Sequence, residues 1–307
     1  LQMAGGYILH LDSTCKGGSA HLLTGIDEIS GFVLLNVKVP GESADEISAF
    51  LRDLVKRFGP PAAVSCDMSR GILAALAAVL SGTPVFICHF HFLRDLGKDL
   101  MEADYDTIRK RLRHHGVKAE VKRLQRELRD VVSANADRLE ELLQATESGA
   151  EKAGLVRTVP CAAVLGTFLG AILSAEAHGD GCGFPFDRPH LLLFRQTQTV
   201  LAAVEALHRS ATLNPCERKL CKRLSEALRP TCSDSVLVAA ADALEHKAKV
   251  FDRLRRAMRI AEPGAGKGLN DAGADVPMRT IEHHVDRFCE ELRADEVAVR
   301  VVDELEP

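Results

Sequence analysis

The feature that most constrains the fold is a change of hydrophobic period near residue 43. Before it, three short apolar runs at residues 7–12, 21–26 and 31–39 are separated by turn signals at Gly17-Gly18 and Ser30-Gly31. Short β-length runs joined by tight turns predict an antiparallel meander. After it, Ile47, Phe50, Leu51, Leu54, Val55 and Phe58 recur at helical spacing behind Ser43-Ala44-Asp45-Glu46, which has the form of a capping box. Gly59-Pro60-Pro61 stops that helix. A fourth strand at 62–66 ends at Asp67, a second helix runs from an N-cap at Ser69 to Leu80, and a fifth strand spans 85–88 before helix resumes at His91. The expected order is βββαβαβα, an α/β core over residues 1–100.

Beyond residue 92 the strand signals nearly vanish. Residues 101–262 are expected to form an all-helical region interrupted by the loop 178–187, and 263–307 a Gly- and Pro-rich link followed by one helix. The chain begins on Leu1 directly before a strand pattern, so a fragment of a longer protein is expected. Nine cysteines scattered through apolar runs read as reduced thiols of a cytoplasmic protein rather than as a disulfide framework. No stretch is apolar for long enough to suggest a membrane span. The net charge of −4 excludes a surface coated with basic charge but leaves room for a local basic face.

Asp12 and Asp67 end the first and fourth strands, the edge of an open α/β sheet where ligand sites form. If those strands are neighbours, two hard oxygen ligands share one crevice and suit Mg²⁺ or Mn²⁺. The competing reading is that each Asp caps the turn that follows it. Cys88 and His91 form a Cys-x-x-His pair. A zinc half-site would need two further ligands, and no paired second half is evident. A buried Cys88 with His91 merely starting a helix is the plainest reading. The favoured one places His91 near the carboxylates, where it orients an acid or contacts DNA.

Three segments together resemble the DDE transposases of bacterial insertion sequences, in particular the Mutator-related group. They are Gly6-Tyr7-Ile8-Leu9-His10-Leu11-Asp12, Ser65-Cys66-Asp67-Met68-Ser69-Arg70-Gly71-Ile72, and Ile87-Cys88-His89-Phe90-His91-Phe92. The resemblance implies a ribonuclease H-like catalytic domain with a large helical insertion, in which Asp12 and Asp67 match the first two acids and Cys88 and His91 the signature behind them. It implies metal-dependent cleavage and strand transfer of double-stranded DNA, at transposon ends and target, by a homodimer. The third acid has alternatives. Glu282, in Arg279-Thr280-Ile281-Glu282, has the helical context without the expected Asn. The third Glu otherwise lies beyond residue 307, and Glu217 is a weaker candidate. Without a third acid the chain is a catalytically inactive or truncated remnant that binds DNA without turnover.

Arg109, Lys110, Arg111, Arg113, Lys118, Lys122, Arg123, Arg126 and Arg129 make the densest basic stretch. Arg111, Lys118, Lys122, Arg126 and Arg129 fall on nearly one helical face, which could neutralise DNA phosphates or simply be solvated. Arg253, Arg255, Arg256 and Arg259 form a second, shorter cluster. With no Trp, base-stacking recognition of single strands is not indicated.

Overall fold

The computed structural model describes residues 6–15, 18–147, 159–177, 179, 181–209, 213–260 and 276–295. The chain divides into two compact units, Leu1–Leu96 and Gly97–Pro307. The expected link from 263 lies mostly outside the described residues, as do His178 and Asp180 of the expected loop.

The first unit is a mixed α/β layer whose elements follow the order that the periodicities predict. Strands β1 (Ile8–Thr14), β2 (His21–Asp27) and β3 (Val33–Val39) precede helix α1 (Ala44–Phe58), β4 (Ala63–Cys66), α2 (Arg70–Val79), β5 (Val85–Ile87) and the start of α3 (His89–His115). Across the sheet the strands run β3-β2-β1-β4-β5, so spatial order departs from chain order at β4, which joins the far side of β1. The β1–β2 and β2–β3 pairs are antiparallel, and β1–β4 and β4–β5 are parallel.

Local chemistry accounts for these elements. The β2–β3 turn is built on Asp27, whose carboxylate accepts the Ser30 hydroxyl at 2.6 Å and the Ile29 and Ser30 amides at 3.3 Å. The Ser43–Glu46 capping box forms as its residue types require, and Gly59, at φ 80°, ends α1. One sheet face carries Leu9, Leu11, Leu23, Val64 and Cys66, which pack against Ile47, Phe50, Leu51 and Leu54 of α1 and Ile72, Ala75 and Leu76 of α2. Gly71 lets α2 approach the segment before α1: a Cβ there would lie 2.1 Å from the Glu42 carbonyl oxygen.

Two expectations need correction. Ser69 makes no side-chain capping bond at the start of α2. Its amide donates to the Asp67 carboxylate at 2.8 Å, an Asx turn that leads the chain into the helix. The fifth strand ends at Ile87, because Cys88 already opens α3: its carbonyl accepts the Phe92 amide at 3.0 Å.

The second unit is helical. After the rest of α3 come α4 (Val117–Ser133), α5 (Ala136–Glu147), α6 (Cys161–Ser174), a short 3-10 turn (Ala175–Ala177), α7 (Pro189–His208), α8 (Pro215–Cys232), α9 (Ser235–Ala257) and α10 (Met278–Ala294). The buried residues Val117, Val121, Leu124 and Leu128 give α4 one apolar face, and α4 packs on α6. The C-terminal helix, α10, packs on α9 within this unit. Among the described residues no disulfide joins any cysteines, and no helix is long and apolar enough to cross a membrane.

Candidate metal centre

The ladder between β1 and β4 pairs Ile8 with Ala63, Leu9 with Val64, His10 with Ser65 and Leu11 with Cys66. One further step along the same register sets Asp12 opposite Asp67. Because side chains alternate along a strand, both acids belong to the face opposite α1 and α2, at the carboxyl ends of parallel strands. The β4–β5 ladder pairs Cys66 with Ile87, and the Cys88 amide continues it by donating to the Cys66 carbonyl at 2.7 Å. Cys88 therefore stands level with Asp67. Asp12, Asp67 and Cys88 thus occupy neighbouring positions along one edge of the sheet.

Their charges are left unneutralised. Among the described residues neither Asp12 nor Asp67 pairs with a Lys or Arg side chain. Asp67 accepts the Ser69 amide through Oδ1, so the turn-capping reading of this acid is true of one oxygen and leaves the other available. Asp12 is about a third exposed, and the nearest ionisable partner of its carboxylate is His91, whose Nε2 lies 3.9 Å from Oδ1. That distance is too long for a hydrogen bond but suits an orienting contact.

Cys88 lies one helical turn before His91, whose buried Nδ1 has no hydrogen-bond partner among the described residues. The imidazole interaction, joined by the backbone amides of His91 and Phe90, lowers the thiol pKa against the opposing effect of burial. The same contact with Cys88 raises His91, again against burial. A thiol at the first turn of a helix facing an imidazole is the arrangement that favours thiolate and imidazolium. His10 is a residue that the sequence reading passed over. It alternates with Asp12 on the same face of β1, and its buried Nδ1 has no hydrogen-bond partner among the described residues. The period-2 pattern of residues 7–12 carried that signal.

Carboxylate oxygens with an adjacent solvent opening fit Mg²⁺ or Mn²⁺, which keep several waters and need only one or two protein carboxylates alongside substrate phosphates. Among the described residues no three His, Cys, Asp or Glu side chains are gathered closely enough to hold a metal ion. This bears on the two candidates for a third acid. Glu282 is exposed on α10, in the helical unit. Glu217 is consumed locally: its carboxylate accepts the Asn214 amide at 2.9 Å, while the Asn214 side chain accepts the Glu217 amide at 3.0 Å. Glu217 thus caps α8 through one oxygen, in the helical unit.

The basic stripe is shorter than its spacing predicts. Gly116, in the left-handed region at φ 62°, separates α3 from α4, so Arg111 and Lys118 are not on one continuous helix. Arg111 turns inward, its Nε donating to Asp234 Oδ2 at 2.7 Å alongside His115 at 2.7 Å. Lys118 is paired with Glu176. Lys122, Arg126 and Arg129 remain exposed on α4 without a carboxylate partner among the described residues. The second cluster is also absorbed: Arg253 pairs with Glu291 at 3.1 Å, and Arg255 is buried, donating to the Ile260 carbonyl at 3.1 Å. The chain matches no protein-family model and no curated protein.

Proposed function

We propose that the sheet unit is the ribonuclease H-like catalytic region of a DDE-type transposase, cleaving and joining double-stranded DNA with Mg²⁺ or Mn²⁺ at Asp12 and Asp67. The observation that carries this reading is the β1–β4 register, whose last pair, Leu11 with Cys66, immediately precedes two acids 55 positions apart, neither paired with Lys or Arg among the described residues. Bound there, the ions would activate a water or a 3′-hydroxyl and stabilise the leaving oxygen of an in-line phosphodiester displacement. Asp12 and the free oxygen of Asp67 hold them. His91 fixes the orientation of Asp12, and its contact with Cys88 sets the ring. Lys122, Arg126 and Arg129 supply sequence-tolerant phosphate contacts. Glu282 is the acid that the resemblance offers as the third ligand. A homodimer holding two DNA ends is expected by analogy with such enzymes.

A second reading is favoured by one observation: among the described residues no third acid joins Asp12 and Asp67. On that reading the chain is a remnant that binds DNA without turnover. Nicking of supercoiled plasmid in Mg²⁺ or Mn²⁺ separates the two. The catalytic reading predicts nicking that Asp12→Asn and Asp67→Asn abolish and that Glu282→Gln reduces if Glu282 is the third ligand. Absence of nicking by the unaltered chain with either ion, while DNA is still bound, establishes the remnant.

A further inference from the structure

The helical unit holds a cleft that the reading of the sheet edge does not use. Where α3 ends and Gly116 turns the chain into α4, a cavity of about 350 Å³ opens against α7. That volume sits at the small end of organic-ligand sites, about 300–1,000 Å³. Its floor is apolar and buried, formed by Leu112, Val117 and Leu193. Its rim is cationic: Arg109, Arg113 and Lys118 line it. A single carboxylate, Glu176, answers them, and it is shared between Lys118 and His190, the latter at 3.3 Å. Arg109 is steadied by Asp106 at 2.8 Å, outside the cleft. Arg113 has no ion pair among the described residues, so its guanidinium is available to a ligand.

We propose that this cleft binds a phosphate monoester carried on an apolar body of about nucleoside size. Arg113 is unpaired among the described residues, and Arg109 and Lys118 keep N–H donors beyond their contacts with Asp106 and Glu176, so the rim offers an anion several donors at once. A phosphate monoester carries about −1.5 to −2 at neutral pH and has three acceptor oxygens for planar guanidinium forks, one more than a carboxylate presents. The buried leucines and valine receive the organic body, and Arg113 anchors the phosphate. The same chemistry is offered by a free mononucleotide and by the 5′-phosphate end of a DNA strand. The proposal stands apart from the sheet-edge chemistry, and nicking is not its readout.

Calorimetric titration of the full chain tests it with four probes: adenosine 5′-monophosphate, adenosine, and a short duplex with either a 5′-phosphate or a 5′-hydroxyl. At least one phosphorylated probe is expected to bind with Kd below about 1 mM, its unphosphorylated counterpart at least tenfold more weakly. Binding of the mononucleotide identifies a free ligand; binding of the phosphorylated duplex alone identifies a DNA end. Arg113→Glu should weaken the phosphorylated probe by at least tenfold, and Arg109→Ala more mildly, with an unchanged melting temperature for Arg113→Glu because that side chain is exposed and unpaired. Lys56→Glu, exposed on α1 and outside the cleft, should leave this preference intact. Equal binding of phosphorylated and unphosphorylated probes would overturn the proposal. So would an Arg113→Glu protein that binds as the unaltered one does, or equal weakening by Lys56→Glu.

Discussion

The two units treat their acidic side chains in opposite ways. At the sheet edge neither Asp12 nor Asp67 pairs with a Lys or Arg side chain among the described residues, and His91 lies 3.9 Å from Asp12. In the helical unit the carboxylates are met by fixed cations. Asp234 takes Arg111 and His115, Arg188 grips Asp252 through both carboxylate oxygens at 3.1 and 2.6 Å, and Arg195 bridges Glu245 at 2.7 Å and Asp242 at 2.5 Å. Paired charge holds helices in register. Two acids brought to one sheet edge without such a cation contribute no pairing of that kind, as expected of side chains kept for a ligand.

The strongest way to break this comparison is to remove a structural acid. Only 4% of the Asp234 side chain is exposed, and besides its two cations it caps α9 through the Val236 and Leu237 amides. Asp234→Ala should cost about 3–5 kcal/mol in denaturant unfolding, since it strands the partners of a buried ion pair. Burial works to raise the Asp234 carboxyl, but the hydrogen bonds from His115 and Arg111 outweigh it and hold the group well below the usual carboxylate range. A depressed folded-state pKa gives stability that is full above the unfolded value and lost as pH falls through the folded one. The unaltered protein should therefore lose this contribution below about pH 4, whereas Asp234→Asn should show a flatter acid limb.

The matching change at the sheet edge should do the reverse. Asp12→Asn is expected to cut metal-dependent nicking by about a hundredfold or more, beyond what supporting residues of a metal site cost. Its unfolding free energy should stay within about 0.5 kcal/mol, because that carboxylate pairs with no Lys or Arg side chain among the described residues. A large stability loss here would make Asp12 structural and collapse the contrast. Gly71→Ala, which drives a methyl group into the Glu42 carbonyl, should instead cost roughly 1–3 kcal/mol and lower nicking only through the folded population.

The smallest effect sharpens the contrast within the basic stretch. Lys122→Ala and Arg126→Ala should each lower the slope of log affinity against log salt by about 0.9 on duplex DNA, whatever its sequence. Arg111→Ala should leave that slope unchanged and lower stability, because its charge is spent on Asp234.

Much of the sheet unit was legible because its signals are local. The switch from period 2 to period 3.6, the Ser43–Glu46 box and the acids at strand ends each lie within a few residues of what they determine. The neighbouring of Asp12 and Asp67 followed from topology once β4 was placed beside β1. What escaped were pairings over distance and competition for one side chain. Nothing near Arg111 announces that its partner is Asp234, 123 positions on. Helical spacing put Arg111 and Lys118 on one face, but it could not register that Gly116 breaks the helix between them. Asp67 was read as ligand or cap, whereas its two oxygens leave room for both.

The most direct test of the account is Mn²⁺ titration followed by the loss of the free-ion paramagnetic resonance signal. The unaltered chain should bind Mn²⁺, and Asp12→Asn and Asp67→Asn should each weaken binding by at least about tenfold. Asp53→Asn, which removes an acid already paired with Arg57 at 2.8 Å, should bind as the unaltered chain does. Equal Mn²⁺ affinity in all four proteins would contradict a metal centre at the sheet edge.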